Sequence, residues 1–261
     1  ARGESLPNRA HGAALFVDIS GFTPLTEALT RVRGPRRGVE ELTVQLNLVY
    51  GALVGEVHRF GGSVIGFAGD AITCWFDQDD GRRAVASAFA MQRGMGRLAW
   101  VPIGDGTGVT LAVKASVAAG PVRRFLVGDE AIQRIDVIAG GTLARMAAAG
   151  GVAGRGEVVL DRETANRIES AVHIREWRLE AGTDVPYAVI DSLRDAPAEA
   201  PRMPNPKLTE DQLRPWLLGA ATSPIVMGAD AFLDGRTFDP DQPLAYLAAL
   251  GGAGICSHAR H

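Results

Sequence analysis

The chain has 261 residues, 46% hydrophobic and 22% charged, enough apolar material for one large domain with its own core, which argues against a disordered or fibrous chain. The formal net charge of −3 gives no electrostatic basis for binding nucleic acid or an anionic membrane surface. Cys74 and Cys256 are too few for a disulfide framework and lack metal-type spacing, no apolar run reaches the ~18 residues of a membrane span, and no signal peptide is visible, so the expectation is a cytoplasmic protein.

Residues 1–12 are polar and read as a frayed end. Ala13 to Val17 is a continuous apolar run, the pattern of a central strand covered on both faces, and Asp18 stands at its end. Gly21 follows, and Pro24 falls in the first turn of a short helix over Phe22 to Val32, whose leading amides point back toward Asp18. Gly34-Pro35 is a break. Glu40 to Phe60 is the clearest helix, with Leu42, Leu46, Val49, Leu53, Val57 and Phe60 at three- and four-residue steps making a core-facing stripe. Gly61-Gly62 ends it. Ser63 to Phe67 and Ile72 to Phe76 read as two strands of a hairpin with Asp70 at its tip.

Gly81 to Ala99 reads as a second amphipathic helix and the glycine-rich Pro102 to Gly108 as a mobile connection. Val109 to Ala119 alternates as a strand: Leu111, Val113, Ala115 and Val117 share the main apolar face, and Ala112, Lys114 and Ser116 share the other. Lysine occurs only at 114 and 207, so Lys114 stands out. Two further strands, Val122 to Val127 and Ala131 to Ile138, flank a turn at Gly128-Asp129-Glu130, followed by an Ala-rich helix over Gly140 to Ala149. Glu157 to Leu160, a short helix from Asp161 to Ile168, and strands near 172–178 and 187–191 complete the compact part. The whole is an α+β fold, a ferredoxin-like palm with a βαββαβ core and extra C-terminal strands and helix. Residues 12–192 form one domain, 193–218 a Pro-rich linker with a short helix over Leu208 to Leu218, and 219–261 a tail without motif or period.

Two carboxylates, Asp18 and Asp70, thus lie where apolar strands give way to glycine-containing turns, the arrangement by which strand ends supply ligands to divalent ions in phosphoryl transfer. Phe16-Val17-Asp18-Ile19-Ser20-Gly21-Phe22-Thr23, Phe67-Ala68-Gly69-Asp70-Ala71 and Val113-Lys114-Ala115-Ser116-Val117-Ala118-Ala119-Gly120 resemble, in this order, the two metal motifs and the following strand of class III adenylate and guanylate cyclase catalytic domains. The likeness is nearest to the first catalytic half of soluble, bicarbonate-responsive adenylyl cyclases and of bacterial tandem cyclases.

The resemblance implies that the chain is the metal-carrying half of an adenylate cyclase. Such a half converts ATP to cyclic AMP and pyrophosphate when paired head to tail with a second cyclase domain. It implies that Asp18 and Asp70, with the carbonyl of Ile19, bind two Mg²⁺ ions, with Mn²⁺ or Ca²⁺ as substitutes. It implies that backbone groups of Gly21, Phe22 and Thr23 hold the β- and γ-phosphates, that Lys114 contacts the same phosphates, and that Arg145 is the remnant of a transition-state Arg. The complementary features are incomplete. Gly66 stands where the base-selecting Lys is expected, Ala139 to Arg145 carries no Asn, and Asp136 only neighbours the position of the adenine-reading residue. Without that Lys, bicarbonate sensing is not expected. The alternative is a catalytically incompetent module that binds nucleotide and metal and regulates a partner.

Overall fold

A computed structural model describes residues 8–104, 106–129, 133–180, 182–201, 209 and 216. The helix expected over Leu208 to Leu218, except for 209 and 216, and the tail 219–261 lie outside the described residues.

The first strand, β1, runs Arg9–Ser20 and is longer than the apolar run alone indicates. Of the residues expected to fray, Arg9 to Gly12 are instead paired into the ladder, Arg9 facing Arg123 and His11 facing Pro121, and residues 1–7 lie outside the described residues. Two helices follow, α1 (Phe22–Arg33) and α2 (Pro35–Arg59), separated only by Gly34. Proline needs no amide partner at a helix start, so Pro35 opens α2 five residues earlier than the apolar stripe suggests. Then come β2 (Ser63–Ala68), β3 (Ala71–Asp77) and α3 (Arg82–Leu98). Asp79 caps α3, accepting bonds from the amides of Arg83 and Ala84.

The glycine-rich stretch expected to be a mobile connection is mostly strand on either side of residue 105, which lies outside the described residues. It forms β4 (Trp100–Gly104) and β5 (Thr107–Thr110), a separate two-stranded ribbon. Most of the strand expected over Val109 to Ala119 and the one over Val122 to Val127 are a single long strand, β6 (Ala112–Asp129), which pairs antiparallel with β7 (Gln133–Ala139); the expected strand residues 131 and 132 lie outside the described residues. Helix α4 (Gly141–Val152), β8 (Val158–Asp161), α5 (Arg162–Arg167), β9 (Val172–Leu179) and β10 (Pro186–Leu193) complete the fold.

The main sheet has the order β2-β3-β1-β6-β8-β10-β9, with β7 also paired to β6. The first four strands in that row are the palm, and every pair is antiparallel except β6–β8. Alternation along β1 divides the two faces. Ala13, Leu15, Val17 and Ile19 enter the large core beneath α1, α2 and α3. Ala10 and Ala14 join Trp75, Ala118, Val122, Ile138 and Met146 in a smaller core on the opposite face, which Phe16 also packs against. That second face is covered where α4 crosses it: Ser116 is fully buried there and donates to the carbonyl of Met146 at 2.9 Å. It opens toward the end of β1 that carries Asp18, which is only half-buried.

Candidate active site

Asp18 belongs to the smaller-core face by alternation with Ala14 and Phe16, at the C-terminal end of β1. Its cross-strand neighbours are Ala71 on β3 and Lys114 on β6. Residues directly opposite on an antiparallel pair carry their side chains on the same face. The lysine therefore reaches the aspartate, Lys114 Nζ standing 3.2 Å from Asp18 Oδ2. Both side chains are about one-quarter exposed, 27% and 26%.

Asp70 comes from the turn between β2 and β3. Ala68 pairs with Ala71, leaving Gly69 and Asp70 as a two-residue loop. Gly69 has φ +62°, the left-handed conformation that such hairpin loops require and that glycine adopts without strain. The loop is tied to its neighbours at two carbonyls. The Ile19 amide donates to the Asp70 carbonyl at 3.3 Å, and the Tyr50 hydroxyl, from α2, donates to the Gly69 carbonyl at 2.9 Å.

These contacts bring Asp18, Asp70 and Lys114 together. Burial, and then the neighbouring charge of Asp18, hold the Asp70 carboxyl above the usual carboxylate range, while Lys114 pulls the other way. Burial followed by the charges of Asp70 and Asp18 pushes the Tyr50 phenol above its ordinary value, so it stays a donor. Two neighbouring carboxylates with one ammonium beside them are groups that could hold a further cation. Among the described residues no group of three or more His, Cys, Asp or Glu side chains forms a metal cage. The donors on offer are carboxylate and backbone oxygens, which suit a hard divalent ion that completes its shell with water and substrate phosphate. Within an antiparallel ladder a residue's N–H and C=O point to the same side, so the Ile19 carbonyl faces the Asp70 turn as its amide does.

Gly21 sits three residues beyond Asp18 at the N-cap of α1, with φ +98°, and a Cβ there would lie 2.8 Å from the Thr110 carbonyl. No side chain caps this helix, so the leading amides of Phe22 and Thr23, in the first turn after β1, have no side-chain acceptor at the cap.

Arg145 is not brought to this cluster. Its Nε lies 2.8 Å from Oδ2 of the buried Asp161, and its Nη2 reaches both the Ala119 carbonyl at 2.9 Å and Glu163 Oε2 at 3.3 Å. Ala119 is five positions along β6 from Lys114, about 17 Å at the rise of an antiparallel strand. Asp136 is likewise engaged, gripped by both Nε and Nη2 of Arg124 across the β6–β7 hairpin. Tyr50 is the residue that sequence reasoning missed. A fully buried tyrosine needs a partner for its hydroxyl, and an aromatic beside Val49 on the buried side of α2 was the available signal.

No family model matches the chain. Among curated proteins it is 31% identical over 121 residues to adenylate cyclase type 10 of Oryctolagus cuniculus and 32% identical over 126 residues to that of Rattus norvegicus, each match covering 46% of this chain. The match covers 8% of the length of each of those relatives. Among solved structures, the adenylyl cyclase CyaB from P. aeruginosa superposes with a TM-score of 0.58 at 24% identity, covering 72% of this chain and 97% of that one. The guanylyl cyclase Cya2 gives 0.55 at 21% identity, over 70% and 91%. A non-canonical dimeric guanylyl cyclase domain of the RhoGC fusion protein from Blastocladiella emersonii gives 0.52 at 15% identity, over 70% and 94%. The chain is therefore a homologue of adenylate cyclase type 10 that carries the fold of class III cyclase catalytic domains.

Proposed function

We propose that residues 12–192 are the metal-bearing half of an adenylate cyclase, forming cyclic AMP and pyrophosphate from ATP together with a second cyclase domain. The observation that carries this reading is the meeting of Asp18 and Asp70, 52 positions apart in sequence, with Lys114 beside them. Asp18, Asp70 and the Ile19 carbonyl would hold two Mg²⁺ ions, with Mn²⁺ or Ca²⁺ as substitutes. Those ions, when bound, supply charge neutralisation at the triphosphate and acidify the attacking ribose 3′-hydroxyl.

The chain's own groups do the positioning. The amides of Gly21, Phe22 and Thr23 hold the β- and γ-phosphates, which the positive end of α1 favours. Lys114, already within reach of Asp18, neutralises a phosphate oxygen of the same nucleotide. The second domain supplies the base-selecting residues and the transition-state Asn that this chain lacks. Its docking is supported by the β6–β7 hairpin, which runs past the last β1 pairing at Arg123 and exposes Phe125, Leu126, Val127 and Ile135.

The test is cyclic nucleotide formation by the chain mixed with a cyclase domain that carries those residues, with ATP and GTP offered separately. Asp18→Asn or Asp70→Asn should lower the rate by ~10²–10³ with melting still cooperative. Full activity in either variant would end the proposal.

A second reading, a regulatory module that binds nucleotide without turnover, is favoured by the commitment of Arg145 to Asp161 and of Asp136 to Arg124. Calorimetry separates the two. A regulatory module binds Mg²⁺·ATP and yields no cyclic product with any partner domain.

A further inference from the structure

We propose that Tyr50 is a positioning residue for the metal site, its hydroxyl fixing the turn that presents Asp70. The inference rests on the reading of Asp70 as a metal ligand and adds a residue that does not itself touch the ion.

The peptide unit is planar, so holding the Gly69 carbonyl oxygen also fixes the amide nitrogen of Asp70 and the direction in which its Cα leaves. The Tyr50 hydroxyl holds that oxygen at 2.9 Å, and the Ile19 amide holds the next carbonyl, that of Asp70 itself, at 3.3 Å. Both peptide units flanking Asp70 are thereby anchored, one to α2 and one to the residue that follows Asp18.

The turn needs this restraint. Ala68 and Gly69 are exposed, the ladder beneath is irregular between Val64 and Gly66, and Gly69 contributes no side chain to packing. Tyr50 is an effective anchor because it is itself immobile. It is 1% exposed, and its ring meets Phe67 edge-on with centroids 5.3 Å apart. Phenylalanine at this position would keep the ring contact and remove only the hydroxyl.

The experiment is a Mn²⁺ titration of the full chain, reading free ion by paramagnetic resonance, for the wild type, Tyr50→Phe and Asp70→Asn, with thermal melts and amide hydrogen exchange over residues 68–71. Asp70→Asn should abolish the site. Tyr50→Phe should weaken Mn²⁺ binding about fivefold, the worth of one ordinary hydrogen bond, and speed exchange in the turn while melting close to the wild type. Mn²⁺ binding that is absent in the wild type or unchanged in Asp70→Asn would overturn the metal-site reading itself. A site lost in Asp70→Asn but of wild-type affinity in Tyr50→Phe would overturn the role of Tyr50 and leave that reading standing. A Tyr50→Phe chain that no longer melts cooperatively would also overturn it, because the hydroxyl would then serve the core.

Discussion

Lys114 and Asp18 face each other directly across the β1–β6 ladder and form an ion pair of 3.2 Å. In the absence of other cations the ammonium is the nearest positive charge to a carboxylate proposed as a metal ligand. Lys114 therefore has two opposed effects, competing with a divalent ion at Asp18 and attracting phosphate. Lys114→Met should tighten Mn²⁺ binding to the nucleotide-free chain several-fold and raise the KM for ATP in the reconstituted pair about tenfold. The pair is partly exposed and contributes about 1 kcal/mol or less to stability, so the melting temperature should change little. Metal titration and steady-state kinetics on the same variant check both signs.

Arg145 makes a different kind of contact. Its partner Asp161 has a side chain only 2% exposed, and Asp161 also bonds the Thr164 hydroxyl, whose oxygen in turn accepts the Ala119 amide at 2.7 Å. Removing the guanidinium leaves a buried carboxylate with its main counter-charge gone. Arg145→Ala should lower unfolding free energy by about 3 kcal/mol in denaturant titration. Arg145→Lys should fall between, since a lysine keeps the charge but cannot span Asp161 and the Ala119 carbonyl with one planar fork.

Glu157 gives the fold an acid sensitivity. Arg178 first, helped by the Gly154 amide and Arg175, holds its carboxyl at about 2, below the ordinary value of 4.5. The folded chain thus binds this proton less readily than the unfolded chain, and the group stabilises the fold most fully above pH 4.5, losing that contribution as pH falls toward 2. Glu157→Gln should melt below the wild type at neutral pH, and the gap should close between pH 4.5 and 2. Melting curves across that interval are the check. The residue matters locally because its carbonyl accepts the Ala115 amide at 2.9 Å, setting the start of β8 against β6.

Asp18 and Asp70 were legible in the sequence because each sits in a short stretch where an apolar strand meets a glycine turn. The hairpin was legible for the same reason, since strand alternation and a Gly-Asp tip are local signals. The start of β1 was not, because His11 and Arg9 are polar and owe their strand conformation to pairing with Pro121 and Arg123, more than 100 residues away. The β4–β5 ribbon was hidden by its glycines. Gly108 lies in the ribbon where a Cβ would come within 2.5 Å of the Trp100 ring, so the residue that reads as a breaker is required by the packing. The engagement of Arg145 depended on Asp161 and Glu163, which share no motif with it, and the bond from Tyr50 to Gly69 joins a helix to a hairpin turn 19 residues further on.

The unbroken length of β6 has a mechanical consequence. Lys114 near one end and Phe125 near the other lie on one strand, about 37 Å apart along its axis, with β1 laced to most of the interval. No loop interrupts the strand between them, and β1 stays paired across the Gly120-Pro121 step of β6. A load applied to the outboard hairpin therefore enters the same girder that carries the lysine.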